Sequence, residues 1–160
     1  MILNRQTRVP IALRQLERFL LLAQRSVSIA KDSLTVCLVS DTEIARWNRD
    51  YRGKTGPTDV LSFPTDAPPA DESHARRNRR GRNAQFVAAP RKAIANYLGD
   101  IAIAPAVARR NAQQFGRTFD HEMRILILHG ILHLMGYDHA ADHGQMERRE
   151  RRLRRKLGLA

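Results

Sequence analysis

The sequence has almost no cysteine and no long apolar runs. Its single cysteine, Cys37, cannot form a disulfide within the chain. The longest apolar runs, such as 19–23 and 125–128, are far shorter than the ~20 residues that a membrane-spanning helix needs. The first residues also lack the basic, apolar and small-residue order of a secretory signal. We therefore expect a cytoplasmic protein in a reducing compartment, without a membrane span.

Acidic residues are also few relative to basic ones. The chain has 28 Lys plus Arg against 16 Asp plus Glu, a formal net charge of +12. Most of the excess is arginine, whose planar guanidinium suits phosphate. Such a field attracts polyanions and favours a nucleic-acid partner over an anionic membrane, because no strongly apolar face accompanies the basic stretches. A general preference for arginine in the genome, or a role in solubility, would give the same composition.

Length and patterning favour one α+β domain over residues 1–160, large enough for a hydrophobic core. Apolar, β-branched runs predict strands at 34–39, 58–63 and 99–104. Apolar periodicity and capping residues predict helices at about 10–22, 40–50, 105–115, 118–134 and 142–157. Ser40 is the predicted cap of the second helix, and either Thr118 or Asp120 begins the fourth. The elements do not alternate strictly, and helices gather towards the C-terminal end. We therefore predict a small mixed sheet packed with several helices.

A basic segment separates the second and third predicted strands, at about 66–97. Five arginines lie in it between positions 76 and 82. Its length and composition predict a mobile basic loop, an insertion in the domain. An RNA-binding arm and a solvated insertion without a role are equally good interpretations.

Three histidines near the C-terminal end have the spacing of metal ligands: His129, His133 and His139. The first two are four residues apart on a predicted helix, so both imidazoles leave the same face. Gly136 can turn the chain back so that the third reaches the same point. Three nitrogens leave a fourth position for water, which is typical of catalytic zinc. We predict one zinc ion per chain, although nickel, copper and iron also accept imidazole.

The spacing His-x3-His-x2-Gly-x2-His is that of the metzincin proteases, with one difference. Gly130 stands where those enzymes have a glutamate. Without that base, peptide hydrolysis by the usual route lacks a proton acceptor. The sequence therefore predicts a zinc hydrolase that is not an ordinary protease. Of the remaining histidines, His121 could lie near the site, whereas we expect His74 and His143 at the surface.

A second polar cluster lies between a predicted helix and strand, at 47–64. Arg52 and Lys54 could neutralise a phosphate and stabilise charge that develops during its transfer. Thr58 and Asp59 could order the same loop through side-chain hydrogen bonds to the backbone. A well-made turn with incidental charges is an equally good interpretation.

Three sequence motifs resemble those of the YbeY family of bacterial endoribonucleases. His-Gly-x-Leu-His-Leu-x-Gly-Tyr-Asp-His is complete at 129–139. Tyr-Arg-x-Lys followed by Pro-Thr-Asp-Val-Leu-Ser-Phe-Pro lies at 51–64, and Leu-Gly-Asp-Ile at 98–101. The resemblance covers about 34–158, interrupted by the basic segment, which is longer and more basic than is usual in the family.

The resemblance implies a single α+β domain with a small sheet and a histidine helix near the C-terminus. It implies a catalytic zinc bound by His129, His133 and His139, and the family's functionally important arginine falls on Arg52. The implied activity is single-strand-specific RNA cleavage in 3′-end maturation of 16S ribosomal RNA and in ribosome quality control. Expected partners are ribosomal RNA and ribosomal particles, with no membrane, and a monomer is favoured.

The sequence is also compatible with two other functions. One is a zinc peptidase, which Gly130 disfavours. The other is a non-catalytic ribosome-assembly factor, with a structural zinc and an arginine-rich binding surface. The role of Asp138, as a partner of a metal ligand or as a turn residue, is likewise open. So is the nucleophile, which is either water or the 2′-hydroxyl of the RNA.

Overall fold

The structure is a computed structural model and describes residues 1–65, 96–138 and 143–159. Within these ranges, four strands form one sheet: β1 (Ile2–Asn4), β2 (Leu34–Leu38), β3 (Val60–Pro64) and β4 (Gly99–Ile103). The helices there are α1 (Leu13–Ser26), α2 (Asp41–Arg52), α3 (Pro105–Gln114), α4 (Phe119–Leu134) and α5 (Gln145–Lys156). Most of the predicted basic loop and His139 lie outside the described residues.

The sheet is mixed, as predicted, with the strand order β1-β2-β4-β3. β1, β2 and β4 run parallel, while β3 pairs antiparallel with β4 and places Ser62 opposite Ile101. Every residue of the two central strands is buried, because helices cover both faces of the sheet. The predicted α+β class is confirmed. None of the described helices has the length and apolar character needed to cross a membrane.

The two faces of the sheet carry two hydrophobic clusters. The larger cluster joins β2 and β4 to α1, α4 and α5, and the smaller joins the sheet to Ile44 and Trp47 of α2. α4 is central to the larger cluster: ten of its 16 residues are buried, and it contacts α1, α3, α5, β3 and β4. A helix that is apolar on nearly all sides is stable only when it is enclosed in this way.

Two capping residues place the starts of α2 and α4 where the sequence predicts them. The Oγ of Ser40 accepts a hydrogen bond from the Glu43 amide at 3.2 Å, and the Oγ1 of Thr118 accepts one from the His121 amide at 3.2 Å. Gly136 follows α4 with a φ of 89°, in the left-handed region that favours glycine. These local bonds explain why α2 and α4 begin where the sequence indicates.

Some predicted boundaries were wrong. α1 begins at Leu13 rather than near Pro10, because the side chain of Gln6 binds both the amide and the carbonyl of Val9 and closes a turn before the helix. α5 begins at Gln145 rather than near 142, after Gly144 at a φ of 81°. β3 begins at Val60, two residues late, and the three-residue strand β1 was not predicted.

Cys37 is buried in β2, with 1% of its surface exposed. Burial raises the pKa of its thiol to about 11, so the thiol stays protonated at neutral pH. The structure therefore supports a packing role for this residue rather than a ligand role.

Candidate metal centre

His129 and His133 lie one turn apart on α4, and their imidazoles meet at one point. The two Nε2 atoms are 3.0 Å apart, and the ring centroids are 4.6 Å apart at an interplanar angle of 76°. Both side chains are half-buried. Two nitrogens that share a zinc ion, each at ~2.0–2.1 Å in tetrahedral geometry, would be about 3.3 Å apart. The observed separation is close to that value.

The hydrogen bonds of the other ring nitrogens decide where the protons are. The Nδ1 of His129 lies 3.1 Å from Oε2 of Glu150, and the Nδ1 of His133 lies 3.0 Å from the carbonyl oxygen of Tyr137. A carboxylate and a carbonyl only accept, so each Nδ1 carries a proton and donates it. If both rings are neutral, each Nε2 atom carries a lone pair that faces the other Nε2 atom. The two lone pairs repel each other unless a cation or a shared proton lies between them. The pair therefore fits a metal ion.

Glu150 of α5 holds His129 in this orientation. Its side chain is 8% exposed and accepts hydrogen bonds from His129 and from Arg154. Burial tends to raise the pKa of this carboxyl, but the hydrogen bond from His129 and the charge of Arg154 outweigh it, and the pKa lies below its usual value. Glu150 is thus an anion against the first histidine, as in many metal sites where a carboxylate orients a ligand.

Glu150 was missed at the sequence level, although a signal was present. It falls on the apolar stripe of α5 with the buried residues Met146 and Leu153. A glutamate on such a stripe needs a partner, and Arg154 stands one turn later. What the sequence could not supply was the second partner, because His129 comes from another helix.

The turn after α4 holds the second histidine. The amide of Gly136 donates to the carbonyl of His133 at 3.0 Å, and the amide of Tyr137 donates to that of Leu132 at 3.1 Å. This closure brings the Tyr137 carbonyl back to the His133 ring. His139, the third predicted ligand, follows three residues after Gly136 and lies outside the described residues. Within the part of the chain that the structure describes, no three His, Cys, Asp or Glu side chains form a metal-binding group.

Gly130 brings α4 into close contact with β4. A Cβ atom built on Gly130 would lie 2.7 Å from Cγ2 and 2.9 Å from Cδ1 of Ile101. Its carbonyl oxygen lies 3.4 Å from Oγ of Ser62 on β3, which donates to it. A side chain at position 130 would therefore point into the sheet, and the glutamate of the metzincin pattern has no room there.

The other histidines are occupied elsewhere or exposed. The Nε2 of His121 lies 3.2 Å from the carbonyl oxygen of Leu159, so this ring connects α4 to the chain after α5. His143 is exposed, as predicted, with a φ of 51°. His74 lies outside the described residues.

Arg52 and Lys54 lie on a second surface, where α2 ends. Arg52 is the last residue of α2, and Gly53 ends the helix at a φ of 65°. Both cationic side chains are exposed. The segment behind them is fixed because Nδ2 of Asn48 donates to the carbonyl of Gly56 at 3.0 Å. Two exposed cations on a turn that is fixed by a hydrogen bond can bind an anionic ligand.

Asp59 orders the end of this segment, as predicted. Its Oδ1 accepts from the Val60 amide at 2.8 Å and from Oγ1 of Thr58 at 3.2 Å. Its Oδ2 accepts from Nδ2 of Asn111 on α3 at 3.0 Å. The predicted ordering role is confirmed for Asp59, while Thr58 acts through the Asp59 carboxylate.

Strand β3 lies between the two surfaces. The ring of Tyr51, next to Arg52, is 5.1 Å from that of Phe63 on β3. The neighbouring residue on β3, Ser62, donates to the carbonyl of Gly130, next to His129. The arginine and the histidine pair therefore lie on elements that pack against the same edge strand.

The chain is similar to proteins of one family over nearly all its length. A family model described as "Endoribonuclease YbeY" matches residues 1–158. The chain is similar to the endoribonuclease YbeY of Solibacter usitatus, with 38% identity over 154 residues, covering 95% of this chain and 85% of the relative. It is also similar to that of Sulfurovum sp. (strain NBC37-1), with 31% identity over 157 residues, covering 98% and 90%.

A solved structure has the same architecture. The solution structure of TM1509 from Thermotoga maritima matches with a TM-score of 0.56 and 26% identity. The match covers 98% of this chain and 89% of that one. With a family model that spans nearly all its residues and relatives above 30% identity, this chain belongs to the YbeY family.

Proposed function

We propose that this chain is a zinc-dependent endoribonuclease that cleaves single-stranded RNA in the cytoplasm. Family membership and the names of the relatives support endoribonuclease activity. The observation that supports metal dependence is the histidine pair. Its two Nε2 atoms are 3.0 Å apart, while its Nδ1 atoms are hydrogen-bonded to Glu150 and to the Tyr137 carbonyl. The motif resemblance supports a role in 3′-end maturation of 16S ribosomal RNA and in ribosome quality control, with ribosomal particles as partners.

The zinc would be held by Nε2 of His129 and His133, with His139 as the third ligand. When bound, it would act as a Lewis acid and lower the pKa of a coordinated water to about 7. Glu150 and the Tyr137 carbonyl keep the two rings in the tautomer that presents Nε2. These outer partners fix the orientation of the ligands before substrate arrives.

Arg52 would bind the scissile phosphate, and Lys54 would add a second cation for substrate binding. A guanidinium forms paired hydrogen bonds with phosphate oxygens and stabilises charge that develops on them. Arg52 is exposed at the end of a helix, so its guanidinium N–H groups are accessible to an RNA strand. This role complements the histidine pair, since one surface binds the phosphate and the other holds the metal.

Gly130 argues against the alternative of a zinc peptidase. The contact with Ile101 leaves no space beside His129 for the glutamate base that metzincins use. The second alternative, an assembly factor with a structural zinc, would bind RNA through its arginines without cleaving it. Replacing His139 by alanine would separate the two functions, because an assembly factor that stays folded would keep its role in assembly.

The proposal is tested by metal analysis combined with a panel of substrates. We expect about one zinc per chain, cleavage of single-stranded RNA, and no cleavage of duplex RNA or of a peptide library. Cleavage should stop when a chelator removes the metal and return when zinc is added back. Peptide cleavage without RNA cleavage would establish the peptidase instead, and zinc-loaded protein that binds RNA without cutting it would establish the assembly factor. Products ending in a 2′,3′-cyclic phosphate would identify the 2′-hydroxyl as the nucleophile.

Arg52→Ala should lower the cleavage rate by about 100-fold, the usual effect of losing one group that stabilises transition-state charge. The zinc content should not change, because Arg52 lies on α2 and is not one of the proposed zinc ligands. The matched control is Arg49→Ala, an exposed arginine on the same helix that lies 3.4 Å from Asp50. Single-turnover cleavage measures both. A wild-type rate in Arg52→Ala would show that the assigned role is wrong.

A further inference from the structure

Helix α5 has two chemically different faces. Its inner face buries Met146, Glu150 and Leu153 against the core. Its outer face exposes a cluster of cations: Arg148, Arg151, Arg152, Arg155 and Lys156. The helix is therefore held by its inner face, while its outer side chains are available to a ligand.

The charges of this outer face are not balanced by the acids of the helix. Glu147 pairs with Arg151 at 2.6 Å, and Glu150 faces inwards to His129 and Arg154. Among the residues that the structure describes, no ion pair joins Arg152, Arg155 or Lys156 to a carboxylate. Other arginines of the chain do have such partners, including Arg5, Arg110, Arg117 and Arg124. Three uncompensated cations thus lie within about 6 Å along the helix axis.

The same helix contacts the histidine pair from its inner side. Oε2 of Glu150 is 3.1 Å from Nδ1 of His129. The outer face is therefore separated from this contact by about one helix diameter, ~10 Å. An RNA strand that is bound at the histidine pair and continues over α5 would place its phosphates next to Arg152, Arg155 and Lys156.

We propose that the outer face of α5, formed by Arg152, Arg155 and Lys156, is a second RNA-binding site. It would hold the phosphates of the strand beside the cleavage point, and it rests on the proposed function in taking RNA as the substrate. Guanidinium and ammonium groups bind phosphate without reading bases. The site therefore gives affinity that depends on strand length and salt, and not on sequence.

The test compares two triple variants with the same loss of charge. One replaces Arg152, Arg155 and Lys156 by glutamine, and the control replaces the exposed α1 residues Arg14, Arg18 and Arg25 by glutamine. Glutamine keeps nearly the same helix propensity, so both variants should fold. Affinity is measured by fluorescence anisotropy with 2′-O-methyl RNA strands of two lengths, about 6 and about 20 nucleotides, over a range of salt. KM and kcat are measured with cleavable strands of the same lengths.

We expect the α5 variant to bind the long strand at least about 10-fold more weakly, with its KM raised and kcat unchanged. The slope of log affinity against log salt should flatten by about 2, since each phosphate contact on a single strand contributes ~0.7. The short strand and the α1 control should stay within about twofold of the wild type, because neither involves the outer face of α5.

Other outcomes separate this site from its rivals. Equal weakening in both variants would overturn the proposal in favour of net charge alone, and an unchanged α5 variant would overturn it outright. An α5 variant that keeps RNA affinity but loses binding to phosphatidylserine vesicles would assign the face to a membrane surface instead. Wild-type protein that binds RNA through α5 but never cleaves it would support this site and overturn the nuclease function.

Discussion

His133→Ala is expected to abolish zinc binding and to lower RNA cleavage by at least about 100-fold. Removing one imidazole from the pair leaves Nε2 of His129 without the atom that faces it at 3.0 Å. RNA affinity should remain, because it depends on cations on other elements. Zinc per chain, single-turnover cleavage and RNA anisotropy are measured on one preparation. Preparing variant and wild type in parallel excludes a contaminating nuclease.

The matched control is His121→Ala, a histidine on the same helix whose ring contacts the Leu159 carbonyl. It should keep both zinc and cleavage. Glu150→Gln belongs to the same series and should weaken metal binding by about 10–100-fold, because the carboxylate that orients His129 loses its charge. A His133→Ala protein that cleaves RNA without zinc would show that the histidine pair is not the catalytic site. Loss of RNA binding together with zinc would instead indicate a structural metal.

Gly130→Ala is expected to destabilise the protein by about 1–3 kcal/mol, the usual effect of overpacking a core. In an open helix the same change stabilises by roughly 1 kcal/mol, so the sign of the effect is diagnostic. The reason is the new Cβ, which would lie 2.7 Å from Cγ2 of Ile101. Urea unfolding measures the free-energy difference. Gly130→Glu adds a buried carboxylate to the same clash and should not fold, so it should not create a peptidase.

The control for Gly130→Ala is the same change in an Ile101→Ala background. That background removes the Cγ1, Cγ2 and Cδ1 atoms that the new Cβ would meet. The penalty of Gly130→Ala should then shrink, with a coupling of about 1 kcal/mol or more between the two positions. If the Gly130→Ala protein is as stable as the wild type, α4 and β4 can move apart without lowering the free energy of unfolding. The absence of a glutamate would then have no packing explanation.

Local signals in the sequence predicted much of the fold. The buried strands β2 and β4 were predicted from short apolar runs, and both lie at the centre of the sheet. Ser40 predicted the start of α2, and Thr118 was one of two candidates for the start of α4, because a cap depends only on the next three residues. The spacing of His129 and His133 predicted their meeting for the same reason, since one helical turn sets it.

Features that depend on packing between distant segments could not be predicted. Glu150 meets His129 only because α5 docks on α4. The need for a glycine at position 130 follows from the distance between α4 and β4. β1 is too short to show a period, and the delayed start of α1 follows from the side-chain bonds of Gln6. His139 remains a predicted ligand.

The strand order has a consequence for synthesis on the ribosome. β2 lies between β1, made before it, and β4, whose last residue follows Leu38 by 65 positions. At a synthesis rate of about 5–20 residues per second, roughly 3–13 s pass between the synthesis of β2 and that of β4. All five of its residues are buried in the finished sheet, so an apolar strand with an open edge persists during that time. The nascent chain should therefore be most prone to aggregation, and most dependent on chaperones, between the emergence of β2 and that of β4.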